Sequence, residues 1–468
     1  MSSPIDTLRQ FIALLEDQGE LACIAVETDP QLEIAAVTDR VSKMPGGGKA
    51  LLFQQPTGSD FSLAANLFGS HRRVCLALGV DSLDRLSERL EQLLQKVETP
   101  RFELLDRQLG TLPEFEKFAP LRSSLPCIDH LVMDTPDLSV FPFLQTWSSD
   151  GSASGFSRYI TLPLVITADP SGQNHNCGLY RAQVRDKDQL AIRWKAGSGA
   201  AAHLEEFRRI GKMMPVAIAL GGAPTALFSA LFPLPGALDE MTFAGFLRNS
   251  PLELAACRMV PLHVPAGSEI VIEGFVNPAE TLTEGPFGNH TGTYSAAGTA
   301  ALMRVTAISH RPDAIVPATI VGPPPMEDCW MAQVWEVLLT AFLSRIVPGI
   351  VKVSYPLEWI FHQSAVISLD TPRPGMVRET AELLWALPWF SAARILIFID
   401  ATLDAANYNV VAWRVINSTV FSRDVHYDDA CTRVAIDATG CCSGDSPLTA
   451  GQEMQERVDG RWHEYGIK

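Results

Sequence analysis

Two stretches in the first quarter of the chain place apolar residues at the spacing of an amphipathic helix. The first starts well at Ser3-Pro4, because serine caps a helix and proline suits its first turn, and Gly19 can end it. Its apolar face is formed by Ile5, Leu8, Phe11, Ile12 and Leu15. The second helix is predicted from about Ser82 to Val97. Between them lie two short strand-like runs, Cys23–Val26 and Ala50–Phe53. The pattern predicts a small α/β unit over residues 1–114.

The middle of the chain changes to the pattern of β-strands. Residues 114–152 are irregular and rich in proline, leucine and phenylalanine, which indicates a connection that packs over a neighbour. Branched and aromatic residues then alternate with turn residues. The predicted strands are Tyr159–Thr167, Val216–Leu220, Glu269–Val276 and Leu302–Ser309. We therefore predict a β-rich central domain over residues 115–318.

The last third of the chain alternates helical and strand-like segments. Gly322-Pro323-Pro324-Pro325 interrupts regular structure before it. The predicted elements are a mostly apolar helix at Met331–Val347, strands at Ile350–Ser354 and Arg394–Asp400, and a helix at Tyr408–Ile416. Such alternation favours an α/β domain over residues 319–468, which makes the whole chain α+β. The apolar helix and this domain have the composition of a subunit interface, so we expect a homo-oligomer.

Composition narrows the possible partners. The 468 residues carry a net charge of −16, which argues against nonspecific binding to nucleic acid or to an anionic membrane. No uncharged apolar run is long enough to span a membrane, and no signal peptide is visible. The nine cysteines are scattered and odd in number, which favours free thiols in a reducing compartment. We expect a cytoplasmic protein without a membrane span.

The most informative segment is Glu284–Tyr294, which reads E-G-P-F-G-N-H-T-G-T-Y. Its glycines let the backbone approach a ligand closely, and Gly285-Pro286 and Phe287-Gly288 disfavour a helix or a central strand. Candidate chemical groups are the side chains of Glu284, Asn289, His290 and Thr291. Residue chemistry alone leaves two interpretations open, a surface turn between strands and a functional loop.

The same segment resembles the signature loop of the UbiD-type decarboxylases, and the resemblance recurs in order along most of the chain. Asp169–Arg181, D-P-S-G-Q-N-H-N-C-G-L-Y-R, is similar to the flavin- and metal-binding segment of that family. Further similar stretches are Met214–Gly222, Phe232–Gly245, Val264–Val276, Ile320–Pro324 and Arg394–Asp400. The resemblance implies a split β-barrel of the flavin-reductase type in the centre, a prenylated FMN cofactor, and a C-terminal oligomerisation domain.

The resemblance also implies roles for individual residues. Arg181 matches the arginine that orients the substrate carboxylate, and Glu284 matches the first acid of the catalytic pair. The implied substrates are an aromatic, heteroaromatic or α,β-unsaturated carboxylic acid and carbon dioxide. A flavin prenyltransferase is the implied supplier of the cofactor, and homodimers or higher homo-oligomers are the implied assembly.

A cofactor site is implied by a second group of residues. Asn176 and Glu240 match two of three ligands of a divalent cation, Mn²⁺ or Mg²⁺, with K⁺ as a further candidate ion. The third ligand should be a histidine, yet an ungapped count reaches Gly197–Gly199. His203 is either the displaced ligand or a solvated histidine at a helix start. The full set of implied cofactor-binding residues is Asn176, Gly178, Leu179, Tyr180, Arg181, Phe232 and Glu240, with Arg193 or Lys195 as candidates for neutralising the phosphate.

Asn289 departs from the family pattern, which places Asp or Glu there to protonate the carbon after carbon dioxide leaves. An amide does not deliver a proton at neutral pH. Three alternatives follow: Glu284 carries the proton, His290 carries it, or the protein is slow or inactive. We predict a reversible non-oxidative decarboxylase. The alternatives are a non-catalytic flavin-binding relative or carrier and a metal-dependent hydrolase built on Asn176, Glu240 and Glu284.

Overall fold

The computed structural model describes residues 4–97, 101–127, 129–231, 234–235, 238–442 and 451–467, and it shows a mixed α+β fold. The N-terminal elements are α1 (Leu8–Asp17), β1 (Leu21–Ile24), α2 (Glu33–Ser42), β2 (Ala50–Phe53), β3 (Ser62–Ala65), α3 (His71–Leu78), α4 (Asp84–Leu94), α5 (Phe102–Gln108) and α6 (Pro113–Glu116). The first helix starts at Leu8, with Thr7 and Gln10 forming a capping box, so the predicted start at Ser3-Pro4 is wrong.

The central elements are mostly strands. They are β4 (Leu121–Arg122), β5 (Leu131–Val132), β6 (Tyr159–Ile160), β7 (Leu164–Ala168), β8 (His175–Leu179), β9 (Ala182–Asp186), β10 (Gln189–Ile192), α7 (Gly199–Ile210), β11 (Met214–Gly221), α8 (Pro224–Ala230), α9 (Glu240–Arg248), β12 (Glu253–Ala256), β13 (His263–Pro265), β14 (Ser268–Glu284), β15 (Phe287–Gly288), β16 (Tyr294–Ser295), β17 (Gly298–His310) and β18 (Ile315–Ala318). The predicted strand Tyr159–Thr167 is two strands, since Pro163 between them lacks a backbone N–H for the ladder.

The C-terminal elements alternate between helix and strand as predicted. They are α10 (Glu327–Ile346), β19 (Ile350–Ser354), β20 (Ser364–Leu369), α11 (Met376–Ala386), β21 (Ile395–Asp400), α12 (Tyr408–Ser418), α13 (Phe421–Asp424), β22 (Val425–Tyr427), β23 (Val434–Asp437) and α14 (Gln452–Arg461). Their strands form a sheet of order β19-β20-β21-β23-β22, in which β20, β21 and β23 run parallel.

The N-terminal sheet includes one strand from the central part of the chain. Its order is β1-β2-β3-β18, and β18 pairs with β3 in parallel. Hydrogen bonds therefore join the N-terminal and central parts of the chain. Among the described residues no helix is both long and apolar enough to cross a lipid bilayer.

The central sheet curls so that its two ends approach each other. Its strand order among the described residues is β6-β9-β10-β17-β14-β11-β7-β8, with β5 beside β17. In the part of the chain that the structure describes, this path is open and no strand pairing joins its ends. However, β8 and β9 lie near opposite ends of the path and are joined only by Tyr180 and Arg181. A two-residue connection spans roughly 10 Å at most, so the sheet must bend round on itself at this corner.

Helix α10 lies in the interior of the chain. Its apolar side chains, among them Met331, Trp335, Leu338 and Phe342, are buried in the main core. The sequence interpretation of this helix as interface material is therefore wrong, because its apolar surface is already covered within the chain. Exposed apolar side chains occur instead on and just after α12, at Trp413, Ile416 and Phe421.

Candidate active site

An arginine and a glutamate meet at the corner where the central sheet bends. Arg181 lies in the connection between β8 and β9, and Glu284 is the last residue of β14. Arg181 Nε donates to Glu284 Oε1 at 2.8 Å, and Nη2 donates to Oε2 at 3.0 Å. The Glu284 side chain is only 1% exposed and that of Arg181 is 26% exposed. This bidentate, partly buried geometry is the strong form of an arginine–carboxylate pair.

A second arginine approaches the same carboxylate. Arg193 Nη1 lies 3.7 Å from Glu284 Oε2 and also donates to the carbonyl of Ala296 at 2.9 Å. A side chain at Gly298 would place its Cβ 2.9 Å from Arg193 Nη2, so the glycine leaves room for the guanidinium. The structure therefore places Arg193, which sequence reasoning considered for a phosphate, beside Glu284.

One aromatic ring, that of Phe287, covers the Arg181 guanidinium. Its Cζ lies 4.7 Å from the centroid of the Phe287 ring, a cation–π distance, and Phe287 in turn packs at 4.6 Å against Tyr159. Burial, together with the negative charge of Glu284, raises the pKa of the Tyr159 hydroxyl well above its ordinary value. Tyr159 therefore stays neutral and can act as a hydrogen-bond donor.

The Glu284–Tyr294 segment forms a tight turn between β15 and β16. Asn289 N donates to the carbonyl of Thr293, and Gly292 N donates to the carbonyl of Asn289, both at 3.0 Å. The Asn289 side-chain oxygen accepts from His290 N at 2.8 Å. The amide of Asn289 thus shapes the turn, a common task for asparagine.

Two residues that the sequence did not single out hold this turn in place. Asp150 accepts from Gly288 N at 2.8 Å and also from Trp147 N at 2.8 Å. Trp147 Nε1 donates to the carbonyl of Val321 at 2.8 Å. The Trp147 ring fills the space where Gly288 and Gly322 lack side chains. Both residues lie in the irregular segment before Tyr159, and no local pattern marks them.

The turn also contacts the C-terminal region. His290 Nδ1 lies 3.2 Å from Asp328 Oδ2 at the start of α10, and its ring lies 4.5 Å from that of His362 between β19 and β20. Sequence reasoning named His290 but neither of its partners. No local signal could have identified them, since they follow it by many residues.

A second polar cluster lies at β8 and the start of α9. Glu240 accepts from Cys177 N at 3.3 Å, and burial raises the pKa of Glu240 to about 8. Among the described residues, the buried Asn176 Nδ2 makes no regular hydrogen bond, and a side chain at Gly199 would place its Cβ 2.4 Å from Asn176 Oδ1. Asn176 Oδ1 and the Glu240 carboxylate are oxygen ligands, and a bound cation would offset the cost of holding the Glu240 charge away from water. Asn176 and Glu240 therefore fit a divalent metal.

The remaining predicted residues take different positions. His203 is buried in α7, with Nδ1 2.9 Å from Thr167 Oγ1, so the alternative of a solvated histidine is wrong. Thr167 pairs directly with Asn176 across β7 and β8, so His203 contacts the strand neighbour of Asn176. Gly178 and Leu179 lie on β8, and the Tyr180 ring packs against Trp194.

Phe232 lies outside the described residues. Among those described, no three His, Cys, Asp or Glu side chains form a metal cluster.

Family comparison covers nearly the whole length of the chain. Three models of the 3-octaprenyl-4-hydroxybenzoate carboxy-lyase match in order: the N-terminal domain over residues 12–93, the Rift-related domain over 121–324 and the C-terminal domain over 329–443. The chain belongs to the UbiD family. It is a carboxy-lyase by family, as the resemblance at Glu284–Tyr294 and Asp169–Arg181 implied.

Individual relatives agree with the family. An uncharacterized protein of Archaeoglobus fulgidus is 36% identical over 421 residues, covering 90% of this chain and 85% of that protein. Vanillic acid decarboxylase of Sedimentibacter hydroxybenzoicus, in its closed form, superposes with a TM-score of 0.84 at 24% identity and covers 100% of both chains. An evolved dimeric form of the UbiD-class enzyme HmfF of Pelotomaculum thermopropionicum, in complex with prFMN, superposes with a TM-score of 0.79 at 24% identity, covering 96% of this chain and 98% of that one. At these identities the structural likeness concerns the fold.

Proposed function

We propose that this UbiD-family protein catalyses the reversible, non-oxidative decarboxylation of an aromatic, heteroaromatic or α,β-unsaturated carboxylic acid with prenylated FMN. The observation that carries the proposal is the bidentate pair of Arg181 and Glu284, which lies at the corner of the curled central sheet. The carboxy-lyase activity after which the family is named and the prFMN in the HmfF complex support the same function.

Arg181 is assigned to the substrate carboxylate. Its Nε and Nη2 donate to Glu284, and we assign the remaining nitrogen, Nη1, to one oxygen of the substrate carboxylate. The pair with Glu284 and the ring of Phe287 fix the plane of the guanidinium, so the scissile bond is presented in one orientation. Arg193 adds positive charge beside the same site and compensates for the negative charge of Glu284.

The cofactor supplies the electron sink when it is bound, and this chain supplies its holding groups. We propose that the curled central sheet is a split barrel of the flavin-reductase type. Asn176, Glu240 and His203 would hold Mn²⁺ or Mg²⁺ at the flavin phosphate, with K⁺ as a further ion. The assigned flavin contacts are Gly178, Leu179, Tyr180 and Phe232, and Lys195 is assigned to the phosphate. A flavin prenyltransferase is the proposed supplier, and the exposed apolar residues near α12 support assembly into a homodimer or a larger homo-oligomer.

A loading and turnover experiment tests the function. The chain is co-expressed with a flavin prenyltransferase, and the purified protein is examined by absorbance and intact mass for the bound cofactor. Carbon dioxide release is then measured across aryl, heteroaryl and enoic acids. We expect turnover of at least one acid, and its loss in Arg181→Lys, because lysine lacks the planar fork. Lys187→Gln, a change at an exposed residue paired with Asp137, is the matched control.

Two results would contradict the proposal. Cofactor binding without turnover of any acid would identify a carrier, the alternative that the amide at position 289 favours. Metal-dependent hydrolysis by protein without bound flavin would instead indicate a hydrolase built on Asn176, Glu240 and Glu284.

A further inference from the structure

His290 is the residue through which the signature turn meets the C-terminal region. Its ring packs at 69° to that of His362 with centroids 4.5 Å apart, and it lies 5.9 Å from the ring of Phe361. The His290 side chain is 22% exposed, so it is partly buried and still accessible to a small ligand. Two adjacent aromatic side chains from a distant part of the chain therefore pack against the ring.

The Asp328 carboxylate faces Nδ1 of the His290 ring. Its Oδ2 lies 3.2 Å from His290 Nδ1, in a contact that falls outside hydrogen-bond geometry. Among the described residues neither of these two buried atoms has a hydrogen-bond partner. A small rotation of the imidazole would turn a proton on Nδ1 toward Oδ2, and both atoms would then be satisfied, since the imidazole donates and the carboxylate accepts. That arrangement fixes the tautomer and leaves Nε2 as the reactive nitrogen.

The two neighbours of the His290 ring differ in charge. Burial, with His290 and Lys195 nearby, lowers the pKa of His362 to about 4, so His362 is neutral at physiological pH. Asp328 and Lys195 are the charged groups that act on His362 besides His290. His290 therefore has a carboxylate on one side and a neutral ring on another.

Neither of the other candidates for proton delivery has a free group. Both oxygens of Glu284 accept hydrogen bonds from Arg181. The side-chain oxygen of Asn289 accepts from the backbone of His290, and its amide carries no acidic proton. The imidazole of His290 is the next side chain along the turn.

We propose that His290 is the proton donor to the substrate carbon and that Asp328 and His362 are its positioning residues. The proposal rests on the function proposed above. When the bond between the carbon and its carboxylate breaks, carbon dioxide leaves and the electron pair stays behind. That pair takes the proton of His290 Nε2 and forms the new C–H bond. Neutral His290 then regains a proton from water, and in the carboxylation direction Nε2 removes the proton instead.

The first test measures the tautomer of the His290 imidazole and needs neither substrate nor turnover. The full chain is labelled with ¹⁵N-histidine, and the ring nitrogens are followed by NMR across pH, with His290→Asn used to assign the signals. We expect neutral His290 to carry its proton on Nδ1 in the wild type and to lose that preference in Asp328→Asn. A neutral His290 protonated on Nε2 in the wild type would overturn the proposal.

The second test measures the proton step itself. Loaded protein is incubated in D₂O with the product of any acid that it decarboxylates, and deuterium entry at the ring or vinyl carbon is followed. His290→Asn should slow this entry by roughly 100-fold. Asp328→Asn and His362→Asn should slow it by about 10-fold with KM unchanged, and Asp328→Glu should recover part of the loss. His71→Asn, at the start of α3, is the control.

The outcomes separate this inference from the proposed function. If the loaded wild type decarboxylates an acid and His290→Asn or His290→Gln exchanges deuterium at the wild-type rate, the inference is overturned and the function stands. A change in KM alone would also overturn it. If the wild type turns over nothing, the function fails, and the NMR tautomer still decides whether Asp328 positions His290.

Discussion

At Asn176 and Glu240, polar groups are held away from water next to each other on β8 and α9. The Asn176 amide nitrogen has no hydrogen-bond partner among the described residues, and burial raises the pKa of Glu240 to about 8. Buried groups of this kind usually pair with another group or bind a ligand. The resemblance to the UbiD pattern identified both positions, while burial supplies the physical reason for their chemistry.

Metal affinity tests that reason at the scale of single residues. Glu240→Gln should lower the affinity for Mn²⁺ by about 10-fold or more, because the charged oxygen ligand is lost. Titration calorimetry or the EPR signal of free Mn²⁺ measures this. A comparable loss is expected in His203→Gln, the third assigned ligand. Glu205→Gln, at a half-exposed position on α7, is the matched control. An unchanged affinity of Glu240→Gln for Mn²⁺ would contradict the proposed metal site.

The elements show where sequence patterns succeed and where they fail. Helical periodicity predicted the α4, α10 and α12 helices to within a few residues at each end. The strand predicted at Glu269–Val276 instead continues to Glu284, although Asn277-Pro278 is a strong turn signal. These residues form an irregularity in the strand pairing between Val276 and Thr281. Tertiary pairing with β17 therefore overrides the local preference of Asn277-Pro278 for a turn. That extension is what carries Glu284 to Arg181.

Trp147 provides a test at the scale of elements. A Cβ at Gly288 would lie 2.0 Å from Trp147 Cδ1, in the β15 strand that precedes the turn. Gly288→Ala should therefore displace the indole and destabilise the fold by about 1–3 kcal/mol. Thermal unfolding followed by tryptophan fluorescence measures the loss. Gly460→Ala in α14, where a Cβ meets open space, should be neutral or slightly stabilising. Equal effects of the two changes would show that the indole tolerates displacement.

The whole molecule is held together by contacts that no local pattern predicts. β18 joins the central part to the N-terminal sheet, and Glu327 at the start of α10 accepts from Phe68 N at 2.7 Å. The sequence could predict α+β organisation and, through resemblance, the residues of the signature loop. Asp328 and His362 were missed because only the folded chain brings them to His290. The split barrel and the domain limits 1–114, 115–318 and 319–468 stay predictions.

Glu327 makes the stability of the whole molecule depend on pH. Burial raises the pKa of Glu327 from 4.5 to about 7. Below about pH 4.5 the side chain is protonated in both states, so its contribution is fully present. Above that, the unfolded chain releases the proton first, and stability falls until about pH 7, by at most ~3 kcal/mol. Urea unfolding at several pH values should show this decline, and Glu327→Gln should flatten it. Glu88→Gln, at an exposed position on α4, should not.

The central claim is that Arg181 and Glu284 hold a carboxylate for reversible loss of carbon dioxide. Exchange of ¹³C-labelled carbon dioxide into the carboxyl groups of aryl and enoic acids tests it most directly, because the exchange requires both directions of the reaction. The account predicts exchange into at least one acid by the cofactor-loaded wild type. It also predicts a loss of about 100-fold in Arg181→Lys and in Glu284→Gln. Exchange that persists in both variants, or in protein without flavin, would contradict it.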